Sequence, residues 1–317
     1  MLRVDRDGKA YARKNVANAF PELTKFFYNV GVSAARQWAA HPAFQAALID
    51  TEVRDGTSPS FHPAEKQAFR DFAGYDIPDL VQQPWGVHYS QIKDFPADRI
   101  VPDDQPELNF YRWFWKSGDG WNDWHTAMHE GFHAADHLRK ANPPLWTFFD
   151  PAVRVPSLYG SGGNVDYISH WTYTYPDPQR IGLCTDELLA MARGSGRTTT
   201  PQQVMKMTQI IWYRSQTAPV TPAADNQTRS PWEDYDPDAA YITISPMHLR
   251  EAFWTKLSRP IQGIMYHGWQ SLVPGEKSVY RYTHPETQHE LSRLVKSVVE
   301  PLGPTLKQIP EAKNDVA

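Results

Sequence analysis

The sequence predicts an α/β fold, in which helices alternate with the strands of a parallel sheet. Apolar segments of helical period alternate along the chain with short apolar runs that fit strands. Residues 46–49, Ala-Ala-Leu-Ile, form a continuous apolar run, which is typical of a strand covered on both faces. Of the 317 residues, 41% are hydrophobic and 21% are charged, so the chain can bury a large core.

The predicted elements follow one another without an internal repeat or a flexible linker. The predicted strands are 46–52, 145–151, 164–173, 240–246 and 261–269. The predicted helices are 21–41, 107–144 with an interruption at 117–120, 185–194 capped by Thr185 or Asp186, 201–215, 248–259 and 285–302. Long loop insertions at about 56–106 and 216–239 complete a chain that we predict to be one domain over 1–317.

The predicted strands share one property, which is that residues typical of active sites lie at their ends. These residues are Glu52, Asp150, Asp166 with His170 and Trp171, Ser245, and Tyr266 with His267 and Trp269. In a (β/α)8 barrel the active site lies at the carboxyl ends of the strands and is built from several of them. The pattern therefore predicts a (β/α)8 TIM-type barrel.

Composition excludes several classes of partner. The net charge is −4 and no run of Lys or Arg occurs, so neither nucleic acid nor an anionic membrane is expected as the main partner. A single cysteine, Cys184, excludes an internal disulfide framework. No segment is apolar enough to span a bilayer and the N-terminus does not resemble a signal peptide, so the localisation is left open. We expect no cofactor, since the glycine-rich stretch 160–163 lacks a phosphate-loop lysine.

The segment 41–55, HPAFQAALIDTEVRD, resembles the fourth strand of the (β/α)8 glycoside hydrolases of the clan that includes the family 42 β-galactosidases. In that clan the strand ends in Asn-Glu, and the Glu is the acid/base. The resemblance implies that Glu52 has this role, with Thr51 at the position where Asn is usual. Residues 2–23 resemble the loop after the third strand, and residues 263–272 resemble the eighth strand, with Trp269 on the sugar platform.

The sequence departs from this clan in two respects. The clan's nucleophile is a Glu at the end of strand seven, but AYITISPMH (240–248) contains none, and Glu251 falls a turn into the next helix. If 46–52 is strand four, then strands one to three are absent. A complete barrel takes about 250 residues, but this chain uses its length for five predicted strands and long loops. We therefore expect an incomplete barrel, either the C-terminal part of a larger protein or a fragment. Its open sheet edges would invite self-association.

Glycoside hydrolysis requires two carboxyl groups that flank the scissile bond. Glu52 is the predicted acid/base, and Arg54 and Asp55 are placed to hold it or to tune its pKa. Asp150 and Asp166 compete as the second carboxylate; Asp150 is preferred because Asp166 comes early in its strand. Arg154 is a candidate clamp for Asp150 or for a substrate anion. The structural alternative for Glu52 is an ion pair with Arg54 at the end of the strand. The alternative for Asp150 is that it only begins an Asp-Pro turn.

Aromatic and imidazole side chains are the predicted substrate contacts. Aromatic rings stack on pyranose faces and imidazoles bond hydroxyl groups. The candidates are His170, Trp171, Tyr173, Tyr266, His267 and Trp269, each of which could equally belong to the packed core. The expected substrate is a poly- or oligosaccharide, and catalysis is favoured but left open. A non-catalytic carbohydrate-binding barrel is an alternative, because the strand-seven Glu is absent.

A zinc metallopeptidase is the other alternative. Residues 129–133 are a literal HExxH, in which His129 and His133 face the same way on a helix and Glu130 could activate a zinc-bound water. The neighbouring His125 and His137 extend the stripe. Against this interpretation, Gly131 is unfavourable within a helix, and the surrounding pattern is that of parallel βαβ units. We further expect the helix to lie on the outer ring of the barrel, where its histidines and Glu130 would face solvent.

Overall fold

The structure is a computed structural model that describes residues 1–12, 15–51, 58–81, 102–118, 122–139, 144–150, 163–172, 177–195, 202–213, 239–275 and 278–310. The described helices are α1 (Pro21–Trp38), α2 (Pro63–Ala73), α3 (Pro106–Lys116), α4 (Asn122–His133), α5 (Pro178–Gly194), α6 (Pro246–Leu257), α7 (Pro285–Leu294) and α8 (Glu300–Leu306). The strands are β1 (Ala46–Thr51), β2 (Trp146–Asp150), β3 (Tyr167–Thr172), β4 (Gln203–Gln209), β5 (Ile211–Tyr213), β6 (Tyr241–Thr243) and β7 (Gly263–His267). Among these helices, none has both the length and the apolar character needed to cross a bilayer.

The fold is mixed α/β and contains one five-stranded parallel sheet. Its strand order is β1-β2-β3-β4-β7, whereas β5 and β6 form a separate antiparallel pair. The predicted class is confirmed at this level, because the sheet is compatible with an incomplete (β/α)8 barrel. The residues that the structure describes do not show a complete barrel.

Several predicted assignments differ from the structure, and the loop predicted at about 56–106 contains a helix, α2 (Pro63–Ala73). Within the predicted helix 201–215, the described residues form β4 and β5, and β4, not the predicted strand 240–246, lies in the parallel sheet. All but the first residue of β4 are buried, including the polar Lys206, Thr208 and Gln209, so the hydrophobic pattern does not mark a buried and an exposed face. The predicted cap at Thr185 or Asp186 is also wrong, since α5 begins at Pro178 and both residues lie within the helix, where the Thr185 hydroxyl donates to Ile181 O.

The chain divides into two compact units. Unit 1 comprises Met1–Ser169 with Leu188–Gln203, and unit 2 comprises His170–Glu187 with Val204–Ala317. In unit 1, β1 pairs in parallel with β2 and β2 with β3, and an aromatic core lies between α2 and α3, where Phe69 contacts Phe110 and Trp113. In unit 2, β4 pairs in parallel with β7.

In unit 1, α1 and α4 pack with their backbones in direct contact. A Cβ atom on Gly31 would lie 2.4 Å from Met128 O, and one on Gly131 would lie 2.2 Å from Tyr28 O. Only glycine allows this approach, which explains why Gly131 lies in the interior of α4 although glycine is unfavourable there. The opposite side of α4 faces β1 and β2, where the His125 ring lies 4.4 Å from the Phe149 ring, centroid to centroid.

Candidate functional site

Five of the predicted site residues lie outside the described part of the chain: Glu52, Arg54, Asp55, Arg154 and Tyr173. Their predicted roles stay predictions. The strand before Glu52 is confirmed, since β1 spans Ala46–Thr51, and its penultimate residue, Asp50, bonds His125 on α4, with Nε2 and Oδ2 2.9 Å apart.

Asp150 is the last residue of β2 and is only 1% exposed. Thr147 and Phe149 contact α4, and side chains alternate along a strand. Asp150 therefore lies on the other face of β2, at the carboxyl end of the strand. This is the end at which a parallel barrel builds its active site.

Asp166 lies at the opposite end of the neighbouring strand. It precedes β3, and its backbone N–H donates to Thr147 O, three residues before Asp150 in β2. At about 3.3 Å per residue, this offset separates Asp166 from the level of Asp150 by about 10 Å along the strands. A glycosidase pair has its carboxyl groups about 5–9.5 Å apart, so these two aspartates are poorly placed to form a pair with each other.

Asp166 instead joins two histidines of α4. Its Oδ2 lies 3.1 Å from His133 Nε2 and 3.7 Å from His129 Nδ1, and it accepts the Thr147 N–H at 2.8 Å. The Asp136 carboxylate bonds the other side of the His133 ring, with Nδ1 and Oδ2 2.6 Å apart. We call His129, His133 and Asp166 the His-Asp triad.

The electrostatics of the triad follow from these bonds. The bond to Asp166, together with the bond to Asp136, raises the pKa of His133 although burial opposes the shift. Burial alone would raise the pKa of Asp166, but the hydrogen bonds from His133 and the Thr147 amide outweigh it and lower that pKa. The three ligand atoms lie within 4.8 Å of one another, a spacing that a single metal ion can bridge.

The expectation that the α4 histidines face solvent is wrong. The side chains of His129 and His133 are 14% and 26% exposed, and His125 is buried, because this face of α4 packs against β1 and β2. Glu130, however, is exposed, as expected, and lines a surface pocket with Tyr28 and Ala127 on the α1 side of the helix. The Glu of the HExxH motif is thus turned toward a different surface from its two histidines.

In unit 2, His170 belongs to a buried network. Its Nδ1 lies 2.9 Å from the Lys206 Nζ, and the same ammonium group bonds Thr172 Oγ1. Burial, and then the charge of Lys206, lower the pKa of His170 well below its usual value, so the ring is neutral at pH 7. Cys184 and Glu187 on α5 approach the same histidine. His170 is only 3% exposed and is hydrogen-bonded to Lys206 within the core.

Trp171 and His267 lie in a row of half-buried rings in unit 2. The ring centroids of Trp171 and His267 are 6.4 Å apart, and the row continues through Tyr280, Tyr241 and Tyr213 with steps of 5.6, 5.3 and 4.9 Å. His267 Nε2 bonds the Tyr280 hydroxyl at 3.1 Å, and Gln209 Nε2 donates to the Tyr213 hydroxyl at 3.0 Å. Gln209 and His267 end β4 and β7 respectively. We call these five rings the aromatic row.

Tyr266 lies on the opposite face of β7 from His267 because side chains alternate along a strand, and Trp269 follows the strand in a short 3₁₀ helix (Trp269–Leu272). Both line a mainly apolar cavity of about 900 Å³ beside α7 and α8. The Lys256 Nζ lies 4.4 Å from the centroid of the Tyr266 ring, and burial raises the pKa of Tyr266. The predicted contacts of residues 266–269 therefore fall on two surfaces.

The sequence did not point to Asp136, Gln209, Tyr213, Tyr241 or Tyr280. Asp136 follows the HExxH motif by three residues, so an acidic residue within a turn of the second histidine was an available signal. The tyrosines lie in different segments, and only the tertiary structure brings them into the aromatic row.

Comparisons with known proteins give little further information. No family model matches the chain, and no curated protein matches it. Among solved structures, it is similar to a β-galactosidase from the psychrophilic Marinomonas ef1, with a TM-score of 0.46 and 14% identity. The match covers 98% of this chain and 49% of that one, so the chain spans about half the length of the galactosidase. The likeness to a glycoside hydrolase fold is loose.

Proposed function

We propose that this protein is a glycoside hydrolase of oligo- or polysaccharides and that the aromatic row of unit 2 is a carbohydrate-binding surface. The observation that carries the proposal is the row itself. Its half-buried rings lie beside hydrogen-bonding groups of Gln209 and His267, which end β4 and β7. Sugars have apolar faces and hydroxyl edges, which suit flat rings with polar tips. Burial lowers the pKa of His267, so its neutral ring can both donate and accept hydrogen bonds at pH 7.

The proposed chemistry uses two carboxyl groups. Glu52 is the proposed acid/base, in keeping with the resemblance of residues 41–55 to the fourth strand of glycoside hydrolase barrels. Asp150 is the preferred second carboxylate, because it ends β2 and points away from α4. Asp166 is less suited, since its Oδ2 already accepts bonds from His133 and Thr147.

The proposal is tested with a panel of β-linked gluco-, galacto-, manno- and xylo-oligosaccharides. Calorimetry measures binding, and the release of reducing ends measures hydrolysis. Trp171→Ala should weaken binding at least about tenfold, since losing a stacked ring costs more than about 1.4 kcal/mol. The matched control is Trp254→Ala, which removes an exposed tryptophan of α6 in the same unit and should leave affinity unchanged.

The outcomes separate catalysis from binding. Glu52→Gln should abolish hydrolysis and keep affinity. Saturable binding without release of reducing ends would instead identify a non-catalytic carbohydrate-binding barrel. If no sugar of the panel binds, or if Trp171→Ala binds as well as the wild type, the aromatic row is not a carbohydrate site.

A further inference from the structure

The His-Asp triad joins α4 to the segment that precedes β3 within unit 1. His129 and His133 lie one turn apart on α4, and Asp166 precedes β3. The ring centroids of the two histidines are 4.4 Å apart, and His129 Nδ1 and His133 Nε2 both lie within 3.7 Å of Asp166 Oδ2. All three side chains are partly exposed, at 14–26%, and a metal ion would replace the Thr147 hydroxyl, which lies 2.7 Å from His129 Nδ1, as the partner of that nitrogen.

We propose that the His-Asp triad is a binding site for a divalent transition-metal ion such as Zn²⁺. Two imidazoles and one carboxylate are the three protein ligands of many open zinc sites. With bonds of about 2.0–2.1 Å, neighbouring ligand atoms around a tetrahedral zinc are about 3.4 Å apart. The observed distances from Asp166 Oδ2, 3.1 Å to His133 Nε2 and 3.7 Å to His129 Nδ1, lie on either side of this value.

The surroundings of His133 fit this role. Histidines that ligate a metal almost always donate their other N–H to a carboxylate, a carbonyl or water, which fixes the tautomer. Here Asp136 accepts from His133 Nδ1 at 2.6 Å, while its other oxygen accepts the Leu145 N–H at 3.3 Å. His133 Nε2 is thereby directed toward Asp166, and a metal ion would replace the proton between these two atoms.

A second cluster, formed by His170, Cys184 and Glu187 in unit 2, is less suited to a cation. The Lys206 ammonium lies 2.9 Å from His170 Nδ1 and would repel a metal at this histidine. His170 is also almost wholly buried. The triad is therefore the better site among the described residues. It does not depend on the proposed carbohydrate function, because the aromatic row shares no residue with it.

The test measures Zn²⁺ uptake by the full chain after treatment with a chelator, by titration against a chromophoric competitor. We expect one equivalent to bind, and Co²⁺ to give the visible absorption of a site with nitrogen and oxygen ligands. His133→Ala and Asp166→Asn should lower affinity at least about a hundredfold, and Asp136→Asn about 10- to 100-fold. Two control variants should leave the Zn²⁺ affinity unchanged. His137→Ala removes an exposed histidine whose Nδ1 contacts Ala134 O, and Cys184→Ala removes the cysteine of the second cluster.

Stability provides a second readout. Zn²⁺ should raise the melting temperature of the wild type and of His137→Ala, but not that of His133→Ala, because a ligand stabilises the state that binds it. Circular dichroism without metal verifies that each variant is folded. If His133→Ala does not fold, His133→Gln is measured in its place. Equal uptake by the wild type and His133→Ala, loss of uptake in Cys184→Ala, or no saturable uptake by the wild type would each overturn the site.

Discussion

Substituting Gly131 by alanine tests whether the contact of α1 with α4 holds unit 1 together. The new Cβ would lie 2.2 Å from Tyr28 O and 3.1 Å from Val32 N, both atoms of the α1 backbone. A comfortable C···O contact is about 3.3 Å, so α1 and α4 must separate by about 1 Å. Neither atom belongs to a side chain that could rotate away, so the whole helix has to move.

Two opposing terms set the magnitude. Overpacking costs about 1–3 kcal/mol and occasionally more, and a displacement that opens the packed helix interface belongs at the upper end or beyond. Replacing Gly by Ala within a helix returns about 1 kcal/mol. We therefore expect Gly131→Ala to lower the free energy of unfolding by about 2 kcal/mol.

Urea unfolding, followed by circular dichroism and tryptophan fluorescence, measures this effect. Gly182→Ala in α5 is the matched control, because the three atoms nearest to its Cβ belong to the guanidinium group of Arg259, the end of a flexible side chain that is paired with Asp186. The gain in helix propensity should roughly offset the movement of this side chain and leave the urea midpoint within about 0.5 kcal/mol of the wild type. If Gly131→Ala is as stable as Gly182→Ala, the close approach of the two helices does not have the energetic role assigned to it.

Two further predictions concern unit 2. Bonds from Arg293 and Arg250 lower the pKa of Glu290 to about 2. This folded-state pKa is lower than the unfolded value of about 4.3. The stabilisation is therefore present above about pH 4.3 and is lost as the pH falls toward 2. The melting temperature of Glu290→Gln should thus be below that of the wild type at pH 7 and converge with it in acid, and a constant difference between pH 7 and pH 2 would contradict the assignment. Ser245→Ala removes the N-cap of α6, where the hydroxyl accepts the His248 N–H at 3.3 Å, and should cost about 1 kcal/mol by urea unfolding. Ser245→Asp should retain the stability, and an unchanged midpoint in Ser245→Ala would show that the cap does not contribute.

The parts of the fold that local patterns encode were predictable from the sequence. The apolar periods of α1, α3, α4, α6 and α7 are long enough to identify helices, and the apolar run 46–49 identified β1. β4 was missed because Lys206 and Thr208 are fully buried on a strand covered on both faces. No rule of alternation detects a buried lysine, whose place is fixed by partners such as His170 and Thr172.

The candidate sites were predictable only one residue at a time. His129, His133 and Asp166 each stood out in the sequence, but in two competing hypotheses, the histidines as zinc ligands and the aspartate as a glycosidase carboxylate. Their meeting depends on the packing of α4 against β2 and on the bonds of Asp166 to Thr147 in that strand, and His133 and Asp166 are 33 positions apart. A pairing of this kind is not written in any local pattern.

The α4 helix explains why the HExxH motif and the structure diverge. At about 100° per residue, His125, His129 and His133 form one stripe, which faces the strands. Glu130 is rotated by one residue from that stripe, toward the side where Gly131 meets α1. In this unit the Glu is therefore directed to the surface by the same packing that brings the histidines to Asp166. The two stripes make separate predictions: Gly131→Ala should act on stability through α1, and His133→Ala on metal affinity through Asp166. The packing and the proposed metal site can thus each fail without the other.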